Sequence, residues 1–531
     1  MKPLIQLRQT YQLRVITLAL LCLGLAQVTH AVVPPPPGGY PNFTTAAGEH
    51  ALQALTLGLG NTAIGTFSLF SITTGSFNTA VGAGSLDLNT ADSNTATGAA
   101  ALLFNTTGTQ NTANGTAALE FNETGSQNTA NGAFALLNNT TGVDNTATGF
   151  GALMSNTSVE NTANGASALQ NNTTGSDNTA VGSQSLFSNT EGSSNTAAGG
   201  SALFSNTTGD SNTANGDEAL FSNTTGGANT AMGAAALTSN STGFGNTADG
   251  FQSLQSNTSG NGNTATGVAA LSNNTVGAEN TALGVNALVG NTDGSNNTAI
   301  GNNALGNSNG DFNVAVGAAA LSGLNTTGSS NVALGRFAGT GVTTASNVIC
   351  IGALVDGEDV SNHTYIGNIK STNVSGAGTD TVTINLSTGL LGHLTSSRRY
   401  KEDIKPIDKA SEALYRLKPV SYRYKKEIDS TQSPAFGLIA EEVEEVDPAL
   451  VARNSNGEAE AVHYEMVNAM LLNEFLKEHR TVKDQGATIE DLKKEVADLT
   501  AVVKEQAAQM QKLRTQVPSE NLAAHVVLNN P

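Results

Sequence analysis

Tryptophan is absent from this 531-residue chain, aromatic residues make up 5% of it, and charged residues 13%. A chain of this length ordinarily divides into several domains with large mixed cores, and these scarcities exclude that organisation for most of it. Cysteine is limited to Cys22 and Cys350. Once an N-terminal signal is removed, Cys350 has no partner, so no intrachain disulfide braces the fold and the thiol reads as a small buried residue. Basic residues are scarce over the longest stretch: between residues 32 and 390 there are only Arg336 and Lys370 against 20 Asp and Glu, and 19 of the 24 Lys and Arg come later. Such a surface repels nucleic acid and anionic membrane, so neither is an expected partner. The 7 histidines are scattered, which leaves no metal site and no cofactor to expect.

Long apolar runs are equally rare. The one from Val15 to Leu25 follows Lys2, Arg8 and Arg14 and precedes Thr29-His30-Ala31, the arrangement of a secretory signal over residues 1–31. Its shortness argues against the alternative, an uncleaved membrane span, and the chain is expected at the cell surface or secreted with no integral membrane anchor. Residues 32–60, beginning with Pro34 to Pro37 and Gly38-Gly39, read as a stiff then flexible spacer.

What the chain does have is a repeat. From Asn61 to about residue 394 the unit Asn-Thr-Ala-x-Gly-x-x-(Ala/Ser)-Leu, then x-x-Asn-Thr-Thr-Gly-x-x, recurs every 17 residues, as in Asn111 to Gly115 with Ala118-Leu119 and Asn128 to Gly132 with Ala135-Leu136. A unit this short cannot hold a helix and its return, and its Gly and Asn favour turns. Short strands alternating with turns, one unit per coil of a parallel β-solenoid, are the expected fold; about 19 coils at roughly 4.7 Å per step make a rod on the order of 90 Å long. One Leu and a few Ala per coil bury too little to offset chain entropy, so association along the length is expected.

Rows of identical residues follow from stacking. Asn-Thr-Thr matches the N-glycosylation acceptor pattern, but an Asn at the same turn of every coil is accounted for by hydrogen-bonded ladders. Threonine rows offer a face for a glycan or other cell-surface ligand, and stacking alone also produces them. No coil holds acidic pairs at fixed positions that would hydrolyse a glycan. After Asn362 the register is expected to fail, with His363 to Gly367 and Thr381 to Asn385 capping the rod.

Composition changes sharply at Thr395-Ser396-Ser397-Arg398-Arg399-Tyr400-Lys401-Glu402. Residues 395–466 read as a compact α+β domain: a helix near Ala410 to Leu417, a strand over Pro419 to Tyr424, the run Phe436 to Val443, and a hairpin around Asn454 to Gly457. The spacing of Ser396 and Lys401 excludes a shared helix or strand face, so a turn or a neighbouring subunit must bring them together for any joint chemistry. The structural alternative is a solvated basic turn pairing with Glu402 and Asp403. Beyond Met466, over residues 467–517, Ile489, Leu492, Val496, Leu499, Val503, Gln506, Met510, Leu513 and Val517 alternate by three and four, a coiled-coil seam whose strand number this pattern leaves open. Pro518 ends it, and residues 518–531 read as a disordered tail.

Two resemblances sharpen this. The repeats resemble the head repeats of trimeric adhesins of the YadA type, which implies a trimer of left-handed β-rolls. The segment from Ser396, with Phe436-Gly437-Leu438-Ile439-Ala440-Glu441-Glu442-Val443 and Tyr464 opening the long helix, resembles the self-cleaving intramolecular chaperone domain of phage endosialidases, tail spikes and tail fibres. That family carries a Ser-Asp-x-Arg-x-Lys pattern, which places the nucleophile on Ser396 and its lysine partner on Lys401; Ser397 stands where the family often has Asp. The resemblance implies an exported homotrimeric fibre whose C-terminal domain drives trimerisation and folding of the rod, then cuts before Ser396 as a single-turnover serine endopeptidase. The alternative is an adhesin-like fibre that retains the domain as a clamp.

Overall fold

A computed structural model describes residues 41–323, 327–369, 382–384, 391–393, 396–454 and 456–516. The expected signal (1–31), residues 32–40 of the spacer and the tail (518–531) lie outside the described residues. The chain divides into two units, Met1–Thr372 and Asn373–Pro531.

The first unit is a parallel solenoid. Twenty three-residue strands, from β1 (Thr45–Ala47) to β20 (Thr364–Ile366), form one sheet, each strand paired with the next coil's. The register is set by like against like: Thr112 opposite Thr129, Ala113 opposite Ala130, Asn114 opposite Asn131. The coil starting at Asn111 shows why 17 residues suffice. Its inward apolar side chains are Ala113, Ala118 and Leu119, all 0% exposed, and two asparagines, Asn111 and Asn122, are buried with them.

Those asparagines carry the ladders expected from the repeat. The Asn111 side-chain oxygen accepts the Asn128 backbone N–H at 3.0 Å and its amide at 3.1 Å. In the second row Asn122 donates to Asn105 Oδ1 at 2.6 Å and to Gly125 O at 2.9 Å. A buried amide therefore stays satisfied only where the next coil repeats it, and where Ser308 stands in place of the asparagine the buried Asn291 Oδ1 is left without a partner. The Asn of the Asn-Thr-Thr triplets, such as Asn105, Asn139 and Asn206, is 0% exposed, which leaves no room for an N-linked glycan.

Between strands the path turns through left-handed backbone. Gly115 has φ 138°, and a Cβ there would lie 2.5 Å from the carbonyl of Gly132 in the next coil. The core leucines are less expected in this region: Leu119 has φ 54° and Leu136 φ 51°. An αL residue with a side chain costs about 1–2 kcal/mol, which full burial of a leucine, about 1.5–3 kcal/mol, offsets.

Two differences from expectation concern the ends. The ladder begins before Asn61, because Thr45-Ala46-Ala47-Gly48 within the expected spacer already supplies a strand and a Gly turn, with Thr45 opposite Thr62. The loss of register expected after Asn362 does not occur there: Ile349 pairs with Thr364 and Cys350 with Tyr365 across a coil of 15 residues. Asp359 makes the shortening possible. In ordinary coils consecutive N–H groups converge on one carbonyl of the next coil, as Thr173, Thr174 and Gly175 do on Thr190 O. At the last turn Asp359 Oδ1 accepts the N–H groups of Thr343, Thr344 and Ala345 at 2.8, 2.7 and 2.8 Å, while Oδ2 accepts both threonine hydroxyls. The second run expected to cap the rod falls in the other unit, where β21 (Val382–Ile384) pairs antiparallel with β22 (Leu391–His393).

The second unit is the expected α+β arrangement. Antiparallel strands β23 (Val420–Tyr422) and β24 (Ala435–Gly437) precede helix α1 (Ala440–Val446); β25 (Val451–Arg453) and β26 (Ala459–Val462) form a hairpin; and α2 runs from Tyr464 to Gln516. Val443, Leu450 and Met470 form its small core with Leu414, Leu417, Leu438, Val462 and Val467 around them. The expected seam of α2 is on the surface, with Ile489, Leu492, Val496, Leu499 and Val503 each at least half exposed. Among the described residues no helix is long and apolar enough to cross a membrane, and no group of three His, Cys, Asp or Glu is placed to hold a metal.

Candidate processing site at Ser396

The site follows the β21–β22 pair in the second unit. Ser397 caps a single 3-10 turn, Arg398–Tyr400, its hydroxyl accepting the Arg399 N–H at 3.4 Å and the Arg399 guanidinium Nε at 3.2 Å. A serine at an N-cap supplies the acceptor that the first free N–H groups need. The turn closes with the Lys401 N–H on Arg398 O, and Lys401 leaves in extended backbone at φ −126°. This reversal does what neither a helix nor a strand would do at a spacing of five, and brings Lys401 Nζ to 3.2 Å from Ser396 Oγ. Arg399 lies over the Tyr400 ring at 5.5 Å.

Ser396 and Lys401 are both exposed in the single chain, and Ser397 is half-buried. The hydroxyl and amine are therefore within hydrogen-bond reach but surrounded by water. Thr395, whose carbonyl belongs to the bond expected to break, lies outside the described residues. Glu441 and Glu442 sit exposed on the first turn of α1.

Besides the packing of Met470 in the core, two sets of hydrogen bonds join the domain to α2. The Leu438 N–H donates to Tyr464 Oη at 3.0 Å. A Cβ on Gly437 would come within 2.8 Å of that oxygen, so the glycine is required for the approach. The second contact had no signal in the sequence. Ser411, on the 3-10 helix Asp408–Arg416 and 0% exposed, donates to Glu474 of α2. The same hydroxyl accepts from Asn473 at 2.7 Å and Lys477 at 3.3 Å. Tyr415 Oη and Lys477 Nζ also donate to Glu474, at 2.9 and 2.6 Å. The Lys477 hydrogen bond, then that of Ser411, lowers the Glu474 carboxyl to about 2. These partners lie about 60 residues apart in the chain, a separation at which no local pattern reveals them.

No curated protein and no solved structure matches the chain. Residues 396–452 match the family model described as chaperone of endosialidase, peptidase S74. The match opens on Ser396, covers the 3-10 helix Asp408–Arg416, β23, β24 and α1, and ends within β25, so the chain carries, after its solenoid, a domain of the chaperone-of-endosialidase type.

Proposed function

We propose that this protein is an exported homotrimeric fibre, in which the second unit aligns three chains, nucleates the solenoid and then releases itself by cleavage before Ser396. Registering parallel coils from three chains has a large entropic cost, which tethering through α2 lowers. The exposed seam of α2 supports this role, because a row of half-exposed Ile, Leu and Val along a 53-residue helix is stable in water when another copy covers it.

The observation that carries the cleavage reading is the 3.2 Å approach of Lys401 Nζ to Ser396 Oγ at the first residue of the matched segment. In this reading the neutral Lys401 amine takes the Ser396 hydroxyl proton as Oγ attacks the Thr395 carbonyl carbon. The C–N bond to Ser396 breaks as Lys401 passes that proton to the nitrogen, which leaves as an amine, and an ester joins Thr395 to Ser396 Oγ. Water then hydrolyses the ester, freeing a carboxylate on Thr395 and restoring the hydroxyl. Both groups are exposed in the single chain, so assembly supplies the missing desolvation and times the reaction.

A second reading, retention of the domain as a trimer clamp, is favoured by Ser397, whose hydroxyl is engaged with Arg399 where the family often places a carboxylate. Intact mass of the mature chain under denaturing conditions separates the two. Two fragments meeting at 395/396 in the wild type and one whole chain in Ser396→Ala support self-cleavage. Whole chains in both, with a trimeric native mass, leave the clamp alone.

A further inference from the structure

Within each strand the middle residue points into the coil and the third faces outward, so the third residues of all coils form one row along the sheet. Its character changes along the rod. Over the coils from β5 (Thr112–Asn114) to β14 (Thr264–Thr266) the row is mixed: Asn114, Asn131, Asn164, Asn215 and Asp249 are interleaved with Thr148, Val181, Ala198, Met232 and Thr266, and no two large apolar residues are adjacent. From β15 (Thr281–Leu283) onward it becomes Leu283, Ile300, Val316, Leu334, Ile351 and Ile366 in unbroken succession. Each of the six is exposed, between 36% and 48%. At the strand's first position threonine gives way over three of these six coils to Val314, Val332 and Ile349.

We infer that this six-coil stripe is where the solenoids of neighbouring copies of this chain touch, and that the central coils are not held together in the same way. The inference rests on the homotrimer proposed above. Three observations favour another copy as the occupant. First, the uncovered stripe amounts to roughly 450 Å² of apolar surface, the size of the largest patch on a typical monomer, which is often functional, but short of the ~800 Å² per partner of a self-sufficient interface. It is therefore a contact that needs support from another, and the uncovered seam of α2 is available for that. Second, strands one coil apart repeat in register, so only copies packed side by side at equal height set six apolar residues against six; a shift toward the N-terminus sets part of the stripe against the mixed row instead, Thr266 first and then Asp249. Third, the same alignment brings the Asp249 carboxylates of all copies together, which is unfavourable and limits close contact to the coils after it.

Maleimide labelling of single cysteines tests this in the full chain with Cys22 and Cys350 replaced by alanine. Leu334→Cys and Asn131→Cys occupy equivalent outward strand positions, and native mass is measured alongside. The expected result is a trimer in which Leu334→Cys reacts at least tenfold more slowly than Asn131→Cys, with the two rates equal after denaturation. Equal native rates in a protein that is still a trimer overturn the stripe and leave the trimer standing. Equal protection at both positions shows contact along the whole rod and also overturns it. A monomeric native mass overturns the trimer itself and the stripe with it. Leu334→Asp, at an exposed position the single chain tolerates, guards against an effect of the label: a lowered rod melting temperature is expected where Thr148→Asp leaves it unchanged, and equal melting of the two speaks against the stripe.

Discussion

Asp359 Oδ1 accepts the Thr343 backbone N–H at 2.8 Å, a bond that an earlier coil would direct to the carbonyl of its successor. A side chain of the next, shortened coil has taken the place of that coil's backbone carbonyl, at the last turn of the ladder before β20. Burial pushes the Asp359 carboxyl up, but the hydrogen bonds from Thr343, Ala345 and Thr344 outweigh it and hold it below the usual carboxylate range.

Asp359→Ala leaves three N–H groups without this acceptor and is expected to destabilise the last coils by about 2–3 kcal/mol. Amide exchange at Thr343, Thr344 and Ala345 should speed up while the central coils are unchanged. In the wild type the carboxylate's contribution is present above the unfolded pKa, about 3.9, and is lost as pH falls through the lower folded value. Acid should therefore fray this end first.

Glu120 and Asp87 behave in the opposite sense. Burial raises their carboxyls to about 7 and about 6, and Glu120 is only 6% exposed between coils. Below about pH 4 both states are protonated and there is no penalty; as pH rises toward 7 the unfolded chain releases protons first, and the solenoid loses stability. Glu120→Gln is expected to raise stability at pH 8 by on the order of 1 kcal/mol and to leave it unchanged at pH 4. Thermal melts of wild type and variant at both values decide it.

Lys401→Met and Lys401→Arg should both abolish processing, because a thioether and a guanidinium cannot take the Ser396 proton. Fragment yield by denaturing mass spectrometry is the readout. Full processing in Lys401→Arg would show that only a positive charge is needed and would remove the proton-transfer role.

The Ser411 cluster is a separate fastening. Ser411→Val fills the same space but leaves Glu474 and Asn473 each short of a partner, and should lower stability of the second unit by about 1–3 kcal/mol. Because the dyad turn makes no hydrogen bond to this cluster, processing of the folded fraction should keep its rate.

Leu499→Asp places a charge in the exposed seam of α2 and should convert the proposed trimer to monomers by sedimentation, with the helix otherwise retained by circular dichroism. An unchanged trimer would move assembly elsewhere.

The 17-residue period, the Gly and Asn at fixed offsets and the single Leu per coil sufficed by themselves to specify a parallel solenoid with asparagine ladders. Stacking makes every long-range contact a repeat of one local pattern, so a local reading captures it. The same holds for the hairpin around Asn454 to Gly457 and for Tyr464 at the start of α2, where turn residues and periodicity mark the boundaries.

The tertiary structure alone decided the features that break the period. That Asp359 closes the ladder and lets a 15-residue coil stay in register depends on where its carboxylate lands, not on its place in a motif. That core leucines adopt φ near 50° is settled by packing against local preference. The hold of Ser411 on Glu474 joins residues 63 apart, and the 3.2 Å meeting of Ser396 with Lys401 needs the turn that Ser397 caps. Contacts that occur once, between residues distant in the chain or across an irregular turn, leave no periodic trace, and only three-dimensional placement reveals them.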